Sequence, residues 1–337
     1  MGNRPFTRGR LVVLALLALL LFLPPLAEAI DRSFYVGVAT RILIFAIAAV
    51  SLDLILGYGG MVSFGHAAFL GIGAYVVGIL FTHQFNGTTI LGLPGTVNGF
   101  IVLPLAALVG GLFALVIGAI CLRTDGIYFI MITLAFAQML YFLFTGLRAY
   151  GGADGIALWT PSQFAGVVDL NDRWHFYYLT LALLLGFLYL CRRLVGSRFG
   201  RVIRGSKEND RRMRALGYPT YRYKLAAFAL SGAAAGLAGA LLANATLFVG
   251  PSYLAWTRSG DLIVMVVLGG MGTLAGPVFG AAAFLLLEEF LPQLLDGLWD
   301  GLGDHWKLFL GPILILIVLF ARRGLYGLVE GRRGGAR

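Results

Sequence analysis

The chain has 337 residues, of which 59% are hydrophobic and only 12% charged, and its mean hydropathy is +0.86. Those values exclude an ordinary soluble globular domain. A net charge of +10 raises a nucleic-acid reading, but the side-by-side distribution of the basic residues assigns most of that charge to membrane topology.

Apolar runs near twenty residues recur along the chain, each long enough to cross roughly 30 Å of hydrocarbon as a helix. Lipid cannot satisfy open backbone groups, so helices are the expected form. Spans are expected near 11–27, 34–56, 62–83, 100–121, 126–147, 176–195, 225–249, 261–271, 277–292 and 306–321. The fold class is therefore an all-α integral membrane protein, a polytopic bundle of about ten transmembrane helices with the eighth and ninth short. The N-terminus also fits a cleavable signal peptide, with Arg4, Arg8 and Arg10, an apolar run from Leu11 to Leu23, and Ala27-Glu28-Ala29. Cleavage would leave nine helices and every later loop on the same side. The organisation expected is a cytoplasmic tail at 1–10, one transmembrane domain over 11–321 that includes a cytoplasmic loop at 196–224, and a basic cytoplasmic tail at 322–337.

With the N-terminus inside, twenty of the 26 basic residues fall on the cytoplasmic side: Arg4, Arg8, Arg10, Arg123, eleven between Cys191 and Lys224, and Arg322, Arg323, Arg332, Arg333 and Arg337. Arg32, Arg41, Arg148, Arg173, Arg258 and Lys307 lie outside or near the outer ends, among acids such as Asp154, Asp169 and Asp172. The positive-inside rule fixes this orientation. Cys121 and Cys191 fall at cytoplasmic helix ends and read as packing residues. His66, His83, His175 and His305 form no ligand-spaced cluster, so no metal site is expected.

Three stretches inside the apolar segments carry polar or glycine residues worth reading singly. The run Gly57 to Tyr75 opens on glycines and alternates small with aromatic residues, making Gly59, Gly60, Ser63 and His66 candidates for a substrate path. A tight turn followed by a small-residue packing face reads equally well. Gly-Gly-Met returns at Gly269-Gly270-Met271, followed by Gly272, and paired glycine breaks point to a midplane site. On the fifth predicted helix Tyr128, Thr133 and Gln138 complete the path candidates, since polar groups in lipid are costly. Thr133 is expected to bond back to its own helix and Gln138 to face the bundle interior. Asp53 raises the same question near a cytoplasmic helix end. Gly232, Gly236 and Gly239 read as a helix packing face.

The chain has three lysines, Lys207, Lys224 and Lys307, which follow Ser206, Tyr223 and Trp306. None fits the lysine of a phosphate loop, no nucleophile elbow or acid/base pair is evident, and the chain is not read as an enzyme. In the basic loop Phe199, Val202 and Ile203 fall at i, i+3 and i+4, Met213 and Leu216 repeat the spacing, and Gly217 with Pro219 stops the helix. One or two short amphipathic helices are expected there, as a docking surface for a partner protein. A basic helix resting on anionic lipid is the plainer alternative.

The segments Ser197-Arg198-Phe199-Gly200-Arg201, Arg211 to Tyr218 and Tyr223 to Ala240, with Val267 to Pro277 and Gly151 to Ile156, resemble branched-chain amino acid ABC importer permeases of the LivM type over residues 40–325. The resemblance implies a permease subunit that moves branched-chain or related amino acids inward across a bacterial inner membrane. It implies a second, LivH-like permease, two cytoplasmic ATPase subunits that bind ATP and magnesium, and a periplasmic or lipid-anchored solute-binding protein. No cofactor is implied for this chain itself. It also implies that Phe199, Arg201, Arg204, Glu208, Arg211, Arg212, Arg214, Leu216 and Gly217 belong to the element that couples to an ATPase. The family's segment often carries a Glu near Gln138 and an Arg-Gly-Asp-Tyr order where this chain has Arg123-Thr124-Asp125-Gly126-Ile127-Tyr128. Importers of urea, short-chain amides or nucleosides therefore stay open as alternatives. A secondary transporter or channel without ATPase partners would need midmembrane charge, which the sequence scarcely offers.

Overall fold

The computed structural model describes residues 20–21, 23–25, 34–90, 92–164, 169–297, 301, 303–320 and 324–330. The expected first helix lies mostly outside these residues. So do Arg4, Arg8, Arg10, Ala27-Glu28-Ala29, Arg32, Arg322, Arg323, Arg332, Arg333 and Arg337. Among the described residues the helices are α1 (Phe34–Leu56), α2 (His66–Asn86), α3 (Gly99–Cys121), α4 (Ile127–Gly146), α5 (Arg173–Gly196), α6 (Arg198–Ala215), α7 (Thr220–Thr246), α8 (Trp256–Gly269), α9 (Gly276–Asp296), α10 (Trp306–Phe320) and α11 (Gly324–Glu330). Seven of them, α1 to α5, α7 and α9, are long and apolar enough to cross a membrane. At 14 residues α8 is about 21 Å long, too short to span alone.

Three expectations change. The ninth predicted span is not short, since α9 runs for 21 residues. The tail at 322–337 contains a helix, α11, whose first residue Gly324 lies against Gly269 and Gly270. The last stretch of the predicted loop belongs to α7, which starts at Thr220.

A helix apolar on every side must be surrounded, and α1 is: every residue from Ile42 to Gly57 is buried, and the helix packs on α5, α7, α8 and α9. By contrast α3, α4 and α5 turn large apolar side chains outward, including Leu108, Leu112, Met131, Met139, Phe142 and Tyr189. Close helix contacts run through the small-residue face read in the sequence. A Cβ on Gly73 of α2 would strike the Gly236 backbone of α7, one on Gly236 would meet the Ala106 carbonyl of α3 at 2.6 Å, and one on Gly239 would strike the Leu70 carbonyl. Backbones of α2, α3 and α7 therefore touch directly.

Two strands of two residues, Ile156–Ala157 and Phe248–Val249, pair antiparallel. The Gly151 to Ile156 signature forms this loop: Gly151 and Gly155 take φ of 81° and 78°, and the loop is pinned where Ser162 N–H donates to Asn244 Oδ1 at 2.7 Å. Glycine is needed at 151 because a side chain would strike the Gly155 carbonyl.

Candidate functional site

Between α1 and α2 the chain is not helical over 57–65, and it packs against the bundle through Met61 and Val62. Irregular backbone at membrane depth is tolerated only where protein satisfies its polar groups. Here three helices supply acceptors, α1, α4 and α8. Phe64 N–H donates to Thr133 Oγ1 of α4 at 3.2 Å, Gly65 N–H to Ser63 Oγ at 3.3 Å, and Ala67 N–H to Ser259 Oγ of α8 at 2.9 Å. Met61 N–H reaches back to the Ile55 carbonyl of α1 at 2.9 Å. Thr133 does more than bond its own helix: it donates to the Ile130 carbonyl at 2.9 Å while accepting from Phe64.

His66 opens α2 and is completely buried, with Nε2 2.8 Å from Ser51 Oγ. Ser51 commits its one proton to the Ala48 carbonyl at 2.7 Å, so the imidazole must donate through Nε2 and keep Nδ1 as the acceptor. That Nδ1 is buried with no hydrogen-bond partner in the protein. Ser231 of α7 donates to the Ser51 carbonyl, closing a buried polar cluster of α1, α2 and α7 residues. Of the path candidates on these elements, Ser63, His66 and Thr133 are buried in or against the segment, whereas Tyr128 is 75% exposed on α4 and Gln138 is half-buried.

The second glycine break, 270–275, meets the first. Asp53 of α1 is buried and its Oδ1 accepts from Gly272 N–H at 2.8 Å. A Cβ on Gly57 would collide with both Asp53 Oδ1 and Gly272 N. Gly270 and Gly272 have φ of 119° and 73°, conformations that a side chain would strain. Gly59, Gly269 and Gly270 are buried, while Gly60, with φ of 69°, is exposed beneath Lys207.

The basic loop forms α6, interrupted by extended backbone at Asn209 (φ −156°, ψ 95°), so it consists of two helical pieces. The first piece buries Val202, Ile203 and Ser206 against the bundle, with Phe199 5.7 Å from the Tyr223 ring. Lys207 Nζ donates to the Gly57 carbonyl at 2.7 Å. The second piece ends as the sequence requires: Tyr218 N–H bonds the Met213 carbonyl at 3.2 Å and Gly217 N–H the Arg214 carbonyl at 2.9 Å, with Gly217 at φ 87°. Its fold rests on Asp210, which pairs with Arg214 and with Lys224 at 3.2 Å. Burial pushes the Asp210 carboxyl up, but hydrogen bonds from Thr220 and Lys224 and the Lys224 and Arg214 charges outweigh it and hold it below the usual carboxylate range.

The nine loop residues named from the sequence divide by partner. Arg204 caps α5 through the Val195 carbonyl at 2.9 Å, and Arg214 is engaged by Asp210 and Thr220. Arg201, Glu208, Arg211, Arg212, Leu216 and Gly217 are exposed, Leu216 at 64%. The free face therefore combines cations with an apolar tip.

A profile of the family described as "Branched-chain amino acid transport system / permease component" matches residues 34–319. The chain belongs to that family. The permease is 29% identical over 313 residues to the high-affinity branched-chain amino acid transport system permease protein LivM of Salmonella typhimurium, covering 86% of this chain and 69% of the relative. It is 24% identical over 315 residues to a probable LivM permease of Methanocaldococcus jannaschii, covering 84% and 90%. A probable LivH permease of the same archaeon is 28% identical over 156 residues, 44% of this chain and 46% of that one. No solved structure matches.

Sequence reasoning missed one feature of this multi-pass membrane protein. Arg41, a third of the way into α1, lies 3.4 Å from Glu288 and 3.8 Å from Glu289 of α9, and beside it Arg258 pairs with Asp261 at 3.5 Å. Arg41 and Arg258 also border a cavity of about 160 Å³. These residues read singly as outer-end charges, and a partner 247 positions away leaves no local signal. Ser51, Ser231 and Ser259 were missed for the same reason: each is an isolated small residue whose partner is on another helix.

Proposed function

We propose that this permease is the transmembrane subunit of an ATP-binding-cassette importer that carries branched-chain amino acids inward. Separate ATPase subunits on the cytoplasmic side drive it, a LivH-like permease pairs with it, and a solute-binding protein delivers the ligand from outside. The observation that carries the reading is the two-piece helix α6, whose first piece is anchored in the bundle while its second presents Arg211, Arg212 and Leu216 outward. A lipid-resting helix would turn its apolar face toward the membrane, but Val202 and Ile203 are committed to the protein. The distribution of basic residues supports an inner-membrane protein with α6 in the cytoplasm. On this reading Ser63, His66 and Thr133 hold the re-entrant segment beside the path, and the two glycine breaks let it open.

The test is uptake of radiolabelled leucine into proteoliposomes holding the full complex. Uptake should require ATP and the binding protein, and valine and isoleucine should compete where urea and nucleosides do not. Reversing charge at Arg211 and Arg212 should lower uptake by about tenfold or more, the cost of losing two charge-assisted contacts, with membrane insertion intact. Leucine uptake without ATP refutes the reading.

A further inference from the structure

Lys207 and Asp53 both lie outside the docking face and outside the buried serine–histidine cluster, yet each reaches a glycine break. Lys207 comes from the anchored piece of α6 and crosses 150 positions of sequence to the Gly57 carbonyl at 2.7 Å. Its aliphatic stem covers Gly60, where a Cβ would meet Cγ at 2.9 Å. Asp53, one turn before Gly57 on α1, accepts from Gly272 N–H at 2.8 Å. Gly57 N–H in turn bonds the Asp53 carbonyl at 2.8 Å. The three groups form a continuous chain: ammonium to first break, first break to Asp53, Asp53 to second break. The backbone of Gly57 is close enough to Gly272 that no side chain fits between them, and Gly324 lies against the backbone of Gly269 and Gly270.

Attachment of α6 to the bundle does not need this lysine, because Val202, Ile203 and Ser206 already bury that piece. A buried anchor resists sliding through packing, whereas the Lys207 bond is made to a backbone carbonyl within the glycine break itself and so passes displacement to it. Two residues beyond Lys207, extended backbone at Asn209 separates the anchored piece from the exposed one. A push on the exposed piece therefore reaches the chain at the point where the strap begins.

We propose that Lys207 and Asp53 form a strap that ties α6 to both glycine breaks, so that a displacement of α6 moves the 57–61 and 270–275 segments in one step. Lys207 is a positioning residue for transport, and the idea rests on the importer reading above. Neither break has to sense the partner independently.

Two measurements decide it. In the full complex with binding protein and leucine, Lys207→Met should raise the ATP hydrolysed per leucine moved by about tenfold, the factor that one charge-assisted hydrogen bond corresponds to. Lys207→Arg, which keeps a cationic donor, should restore the ratio. Loss of hydrolysis and uptake together at an unchanged ratio would make Lys207 a mere helix anchor and overturn the strap. The second measurement needs no ATP: amide hydrogen exchange of the purified permease. Lys207→Met should quicken exchange at both 57–61 and 270–275, and Asp53→Ala should quicken 270–275 while Asp53→Asn, which keeps an acceptor, changes it less. Unaltered exchange at 270–275 in Lys207→Met overturns the strap. If wild-type complex moves leucine without ATP, the importer reading fails, and the exchange rates still support or overturn the strap by themselves.

Discussion

Alanine at Gly73 should destabilise this protein although alanine is the better helix former. The added Cβ would strike the Gly236 carbonyl, its other nearest neighbours are backbone atoms of α7, and α7 is backed there by α3, since a Cβ on Gly236 would in turn meet the Ala106 carbonyl at 2.6 Å. No side chain can rotate away, so α2 and α7 must separate. Overpacking of a rigid site costs about 3 kcal/mol at the upper end of the usual range, and the intrinsic preference for alanine returns about 1 kcal/mol. A net loss of about 2 kcal/mol corresponds to a fall of about 3 °C in unfolding temperature for a chain of this length. The internal control is Gly186→Ala on α5, where nothing lies within 4 Å of the new methyl and a gain of up to about 1 kcal/mol is expected. Both variants would be unfolded by heating in one detergent, with intrinsic fluorescence as the readout. If Gly73→Ala melts at or above wild type, or if Gly186→Ala falls as far as Gly73→Ala does, the backbone-contact argument is wrong.

Gly272→Ala should cost about 1–2 kcal/mol through its φ of 73° and not through crowding, since the nearest atom to its Cβ is 3.5 Å away; Gly272→Asn should cost less, and thermal unfolding ranks the two. Arg41→Ala leaves Glu288 and Glu289 without their cation. Because these side chains are 21–36% exposed, the loss should be about 2 kcal/mol, below the range for fully buried pairs, and adding Glu288→Gln should recover part of it. Asp210 has its pKa depressed by folding, so its contribution to holding the second piece of α6 is present above the ordinary carboxylate value of 3.8 and is lost only as pH falls below it. Limited proteolysis of the 210–218 segment should thus stay constant from pH 8 to about pH 5, whereas Asp210→Asn should be cut faster throughout that window.

Most of the bundle could be read from the sequence because lipid imposes a length rule: α1 begins and ends where its apolar run does, Phe34 to Leu56. The end of the second piece of α6 was equally legible, since Gly217 is a local signal for a local structure. Burial direction was harder. Tyr128 and Gln138 share a helix with Thr133, but in a helix apolar all round only Thr133 has its partner, the Phe64 amide, on the bundle side. Asp53 reads in the sequence only as an acid near a helix end, because its partner is a backbone N–H at position 272, which no side-chain pattern encodes. The two Gly-Gly-Met breaks were matched as a repeat, whereas their contact with each other is a property of the fold alone.

The direct backbone contacts divide the molecule mechanically. α2, α3 and α7 are locked to one another at Gly73, Gly110 and Gly236, and α8 and α9 are locked at Gly269 and Gly280, where added methyls would strike the Gly276 and Met265 carbonyls. Each group is a slab that cannot bend internally without breaking close packing. α1, buried from Ile42 to Leu56, packs on α7 of one slab and on α8 and α9 of the other, so a displacement of either slab against the other has to shear the faces packed along that one helix.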